Sequence, residues 1–243
     1  MTPDTGKQVD IHVDIKENIE RIKERVEKAA RKSGRSPDEI KLIAVTKNVE
    51  PARILEAIDA GIWDLGENRV QEMQEKVEAI STAGRKVNWH MIGHLQKNKV
   101  KYLVDSVSII HSLDSIELAQ EIDKRAKKVG RIINVLIQVN VAEEESKFGI
   151  FKDEVNKFIE DIVKYDNIRV KGLMTIAPKA ANPEDVRFVF RELNKIFIDI
   201  RRKNIDNIDM EYLSMGMSND FEVAIEEGAN MVRIGTAIFG VRR

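Results

Sequence analysis

The feature that most restricts this chain is an alternation: short apolar runs and helix-favouring stretches follow one another eight times within 243 residues. The first unit is Lys41-Leu-Ile-Ala-Val-Thr-Lys47, of strand length. Pro51 can then open a helix over Ala52 to Ala60, which Gly61 closes. Further strands are predicted at 62–67, 87–92, 107–113, 132–139, 170–176, 210–215 and 231–239. Helices are predicted between them at 69–81, 98–104, 115–129, 152–164, 183–203 and 221–227. An additional amphipathic helix, 15–32, comes first, with Ile15, Ile19, Ile22, Val26 and Ala29 at helical spacing. Strands alternating with helices favour a parallel sheet. Eight units in this length favour closure into a single (β/α)8 TIM barrel over an open doubly wound sheet. No Pro/Gly/Ser-rich linker interrupts the pattern, so 1–243 is read as one domain with a loose segment at 1–12.

Composition removes several function classes. Lys plus Arg (40) nearly cancels Asp plus Glu (41), which argues against a nucleic-acid binder with a basic face. No run approaches the roughly 20 apolar residues that span a bilayer, and Met1 to Val13 has no signal-peptide core. A cytoplasmic protein is expected. With no Cys there is no disulfide, thiolate nucleophile or thiolate metal site. His90 and His94 are four apart but straddle a strand end, so they do not form a helical metal pair. Lys97, Lys99 and Lys101 read as a solvated loop face.

A barrel concentrates its chemistry at the C-terminal ends of its strands. Those ends carry Lys47, Asn68, His90 to His94, His111, Asn140, Met174-Thr175, Ser214 to Gly216, and Arg233 with Gly235-Thr236. Lys47 shares a strand face with Ile43 and Val45. Its amine therefore either enters the barrel mouth, where desolvation favours the nucleophilic neutral form, or simply ends the strand in solvent. The loops after the last two strands suit a phosphate: Ser218 or Asn219 could cap a helix starting near Phe221, Gly235 permits close backbone approach and Thr236 adds a hydroxyl. They could equally be ordinary turn and cap residues. Arg233 lies in an apolar strand and must find a partner, a carboxylate or a ligand acceptor.

Six segments in order are Ala44-Val-Thr-Lys47, Gly66-Glu-Asn68, Trp89 to Gln96, Gly172 to Ile176, Ser214-Met-Gly-Met-Ser218 and Arg233 to Gly240. Together they resemble the pyridoxal phosphate homeostasis family, whose barrel is similar to the N-terminal domain of alanine racemase. The resemblance implies a fold-type III barrel that binds pyridoxal 5'-phosphate (PLP) as an internal aldimine on Lys47. It implies that Ser214, Ser218, Gly235 and Thr236 hold the phosphate and that Arg233 faces the pyridine nitrogen. Asn68 and Met215 would sit beside the ring, with His90 and Met174 in its surroundings. Alanine racemase also uses a second domain and an opposing tyrosine. Tyr102, Tyr165 and Tyr212 have no evident route to that role, so the resemblance implies a PLP carrier or regulator serving apo-enzymes, monomeric, without robust catalysis. The alternatives are a weak PLP-dependent racemase or transaminase, and an aldolase using Lys47 without PLP.

Overall fold

The fold was obtained as a computed structural model that describes residues 14–144 and 146–240; His12, Glu145 and the proposed loose segment lie outside them. The strands are β1 (Lys41–Val45), β2 (Asp64–Glu67), β3 (Asn88–Met91), β4 (Val107–Leu113), β5 (Ile133–Asn140), β6 (Ile150–Phe151), β7 (Ile168–Met174), β8 (Ile208–Met217) and β9 (Met231–Ile234). All except β6 form one parallel ring, in the order β1-β2-β3-β4-β5-β7-β8-β9, with β9 pairing back onto β1. The two-residue β6 attaches only to the upper end of β5. The (β/α)8 barrel anticipated from the alternation is thus the fold.

The helices are α1 (Ile15–Lys32), α2 (Pro51–Asp59), α3 (Val70–Thr82), α4 (Ile116–Lys128), α5 (Val155–Ile162), α6 (Arg187–Arg202), α7 (Phe221–Glu226) and α8 (Thr236–Phe239). A 3-10 segment, Lys97–Tyr102, stands where a short helix was expected. The last strand is shorter than predicted. It stops at Ile234, and Thr236 to Phe239 form a helical turn that buries Ile238 and Phe239. A continuous apolar run does not distinguish a strand from a buried helical turn, which is why periodicity missed this boundary.

Helix α1 explains how so short an α8 is tolerated. Asp14 caps α1 by accepting from Glu17 N–H at 2.9 Å, and Ile15, Ile19, Ile22, Val26, Ala29 and Ala30 are buried. That stripe packs on α2, α7 and α8, filling the position outside β9 and β1 that a full eighth helix would occupy. Each buried Ile contributes roughly 1.5–3 kcal/mol. Asn18 donates to the Ile238 carbonyl, and Arg25 pairs with Glu222 across the same contact.

Most of the apolar core lies between strands and helices. A small separate cluster, Ile43, Ile109, Leu136, Met174 and Met231, fills the barrel interior, with Tyr212 packed against it.

Candidate functional site

Strand alternation sorts the residues of β1. Ile43 belongs to the interior cluster and Ala44 to the outer layer; Val45 and Lys47 follow Ile43 at two-residue steps. Lys47 is half-buried, in the turn just past β1. Thr46 points outward: its hydroxyl donates to Glu67 Oε1 at 2.5 Å, and its carbonyl accepts from Lys76 Nζ at 2.6 Å. Lys76 also reaches Glu67 Oε1 at 2.7 Å and Glu72 Oε1 at 2.6 Å, while Glu72 accepts from the Asn48 N–H. A buried lysine and two carboxylates therefore hold the backbone on both sides of Lys47. Burial pushes the Glu67 carboxyl above its ordinary range, against the hydrogen bonds from Lys76 and Thr46. Sequence reasoning missed this clamp. Its only trace is Glu72 and Lys76 at a four-residue spacing on one helix.

Arg233 projects into the barrel and is buried. Nη1 donates to Ser214 Oγ at 2.6 Å and Nη2 to the Thr175 carbonyl at 2.8 Å. No carboxylate among the described residues lies within ion-pairing distance, so the ion-pair alternative from the sequence does not hold. Burial pulls the guanidinium down to about 10, with the charge of Asp220 working the other way. Asp220, itself raised by burial, accepts from the Met217 N–H at 2.6 Å. Ser214 is β7's neighbour at Met174, whose side chain lies in the interior cluster, so Met174, Ser214 and Arg233 share the inward face.

His90 does not stand at the mouth as anticipated. Both of its ring nitrogens are engaged below, Nδ1 with His111 Nε2 at 2.9 Å and Nε2 with Asp64 Oδ1 at 2.9 Å. It reaches the upper part of the site only through His111, whose Nδ1 lies 3.0 Å from Ser214 Oγ. Burial above all, with the charge of Arg233 adding to it, holds His111 well below the ordinary histidine range. The Met215 side chain also departs from expectation. One residue on from Ser214, it turns into the layer between strands and helices.

The C-terminal loops converge, though not as drawn from the sequence. The cap position of α7 is Asp220, and neither Ser218 nor Asn219 caps it. Ser218 Oγ instead meets the backbone N–H groups of Gly235 and Ala237, both at a long 3.4 Å, while Thr236 is exposed beside them. Gly216 makes this turn possible. Its φ is +92°, and a Cβ there would lie 2.6 Å from Ala224 Cβ. Across the mouth, Asn68 is half-buried against a cavity of about 230 Å³ lined also by Arg69, Met91 and His94. Gly93 lies so close that a Cβ would fall 2.3 Å from the Asn68 carbonyl oxygen.

Other candidates serve the scaffold. Asn140 ties its own loop, donating to the Glu144 carbonyl at 2.8 Å. His94 bonds Asp114 at 3.2 Å and stacks on Phe148. Tyr212 lies within β8, pushed up to about 12 by burial and then Glu211. Among the described residues no His, Asp or Glu group is arranged for a metal, and no helix is long and apolar enough to cross a membrane.

Comparison with known proteins places this geometry. The model of the alanine racemase N-terminal domain matches residues 15–243. A pyridoxal phosphate homeostasis protein from Aquifex aeolicus is 47% identical over 227 residues, covering 93% of this chain and 98% of its own. The chain belongs to the pyridoxal phosphate homeostasis family. PipY of Synechococcus elongatus, solved with PLP bound, shares 30% identity at a TM-score of 0.81, covering 93% of this chain and 100% of its own. A structure from Bifidobacterium adolescentis described as an unknown protein is 35% identical at a TM-score of 0.88, covering 93% and 94%. Alanine racemase from Clostridium difficile, at 18% identity, shares the fold.

Proposed function

We propose that this family member binds PLP at the barrel mouth as a Schiff base on Lys47, and serves intracellular vitamin B6 homeostasis as a carrier or regulator rather than a robust catalyst. The observation that carries the reading is Arg233: a buried guanidinium whose partners are a hydroxyl and a carbonyl, with no carboxylate among the described residues within ion-pairing distance. A buried cation left in that state suits a ligand acceptor. The convergence of Ser218 with the Gly235 and Ala237 amides suits a phosphate, since long contacts leave those donors available to a stronger acceptor. Homeostasis proteins and PLP-bound PipY among its relatives point the same way.

In this reading Ser218, Gly235 and Thr236 surround the phosphate end, the Ser214 side chain holds Arg233, Asn68 and Met174 flank the ring, and Met215 contributes through its backbone. Bound PLP supplies an aldehyde and an electron-accepting ring. Arg233 stays charged at neutral pH even at about 10, so it donates a hydrogen bond without readily yielding its proton. That limits carbanion chemistry and favours storage. Apo PLP-dependent enzymes would be the recipients, and the protein would act as a monomer in the cytoplasm.

The test is the visible spectrum of PLP-loaded protein before and after borohydride, followed by peptide mapping. We expect one reduced adduct, on Lys47, and its disappearance in Lys47→Ala with the circular-dichroism spectrum retained. An adduct on another lysine sinks the assignment. PLP that reaches an added apo-enzyme no faster than it dissociates spontaneously sinks direct delivery.

A further inference from the structure

A line of hydrogen bonds runs from Arg233 down through the barrel. Arg233 Nη1 meets Ser214 Oγ at 2.6 Å, Ser214 Oγ meets His111 Nδ1 at 3.0 Å, His111 Nε2 meets His90 Nδ1 at 2.9 Å, and His90 Nε2 meets Asp64 Oδ1 at 2.9 Å. The members come from β9, β8, β4, β3 and β2. Asp64 opens β2 at the floor, where Lys41 lies 3.5 Å from it and Asn88 donates to it at 3.2 Å. At the other end, Arg233 Nη2 reaches the Thr175 carbonyl, just past β7. His111, Ser214 and His90 are at most 1% exposed. Water therefore does not complete the bonding of the central links.

The direction of each bond follows from proton counting. A guanidinium only donates and a carboxylate only accepts. Between them stand a hydroxyl and two imidazoles, each with one proton to give when neutral. Four links and four protons admit one arrangement. Arg233 donates to Ser214, Ser214 to His111 Nδ1, His111 Nε2–H to His90 Nδ1, and His90 Nε2–H to Asp64. A fifth proton on either ring would set two donors against each other or turn the Ser214 hydroxyl out of the line. The depressed basicity of His111 agrees with a four-proton state. Burial opposes ionisation of Asp64, yet His90, Lys41 and Asn88 hold its carboxyl below the ordinary range, so the accepting end stays an acceptor.

We propose that Asp64, His90 and His111 are positioning residues for Arg233: a one-way hydrogen-bond line from the barrel floor fixes the Ser214 oxygen as an acceptor and thereby the guanidinium's aim at the mouth. The line itself is a property of the protein alone; only its use toward the cofactor rests on the PLP reading above.

The experiment has two arms. Long-range 1H–15N correlation spectra of histidine-labelled, PLP-free protein at neutral pH should show both His90 and His111 as Nε2–H tautomers. A ring in the Nδ1–H form, or doubly protonated, overturns the proposal whether or not PLP binds. Asp64→Leu removes the accepting end, while Asp64→Asn keeps an oxygen for His90. Asp64→Leu should mix the His90 tautomers and weaken PLP binding about five- to tenfold, as for one misdirected hydrogen bond, with Asp64→Asn restoring both. Unchanged tautomers and affinity in a folded Asp64→Leu variant refute the positioning role. A wild-type protein that fails to bind PLP refutes the cofactor reading and leaves the tautomer result to judge the line.

Discussion

Replacing Lys76 by Met probes the clamp around Lys47. The substitution keeps the volume roughly constant and deletes three contacts of 2.6–2.7 Å, to the Thr46 carbonyl, Glu67 and Glu72. Glu67 is fully buried and loses the cation that offsets its desolvation. Removing one partner of a buried pair costs about 3–5 kcal/mol. Against a typical total of about 5–15 kcal/mol, the variant stays measurable by urea denaturation. The deficit should depend on pH with a definite sign. The folded Glu67 carboxyl is already raised above its unfolded value by burial, and loss of Lys76 raises it further. Folded protein then binds more protons than unfolded protein, so stability falls as pH rises, and the deficit at pH 8 should exceed that at pH 5. Lys76→Met combined with Glu67→Gln should recover much of the loss, because no uncompensated charge remains at that carboxyl. A single-variant deficit under about 1 kcal/mol, or one equal at both pH values, refutes the reasoning from buried charge.

Two further outcomes follow from the barrel interior. Arg233→Met should weaken PLP retention and shift the absorbance of bound PLP, yet leave the melting temperature of PLP-free protein unchanged or higher. The guanidinium is buried with no carboxylate among the described residues in ion-pairing distance, and the charge of Asp220 does not outweigh its desolvation. A fall of more than about 5 °C in calorimetry, on the order of 2 kcal/mol for a chain of this size, contradicts that. His111 is neutral when folded and protonates on unfolding with a pKa near 6.5, so its contribution is present above that value and lost as pH falls. Lowering the pH from 7.5 through that value should destabilise the protein through this residue, a loss that His111→Gln should lack. Equal acid sensitivity in both proteins would show that the imidazole is not buried uncharged.

The barrel was legible because each strand run is continuous and apolar while each intervening helix carries a one-sided stripe, and the two periods do not mimic each other over eight units. The burial of Arg233 was legible for a different reason: a charge in an apolar strand has few tolerable environments. The line below Arg233 was not legible, although His90 and His111 both stood among the candidates. Joining them needs the stagger between β3 and β4, where the register shifts between Trp89 and His90, and a contact to Ser214 that lies 103 residues away. Asp64 gave no signal of its own, since one acidic residue at a strand start ordinarily faces solvent. Parity turns the Met215 side chain outward: two adjacent strand residues cannot both point inward, and Ser214 takes that direction.

The way α1 completes the outer layer carries a cost during synthesis. Its apolar stripe is synthesised well before two of the surfaces it covers, α7 and α8. β1 likewise waits for β9 to close the ring. Until β9 and α8 (Thr236–Phe239) have emerged, the nascent chain carries an unpaired sheet edge and a partly uncovered row of isoleucines, the kind of surface that recruits chaperones or self-associates. Deleting residues 236–243 should therefore uncover part of the apolar stripe of α1.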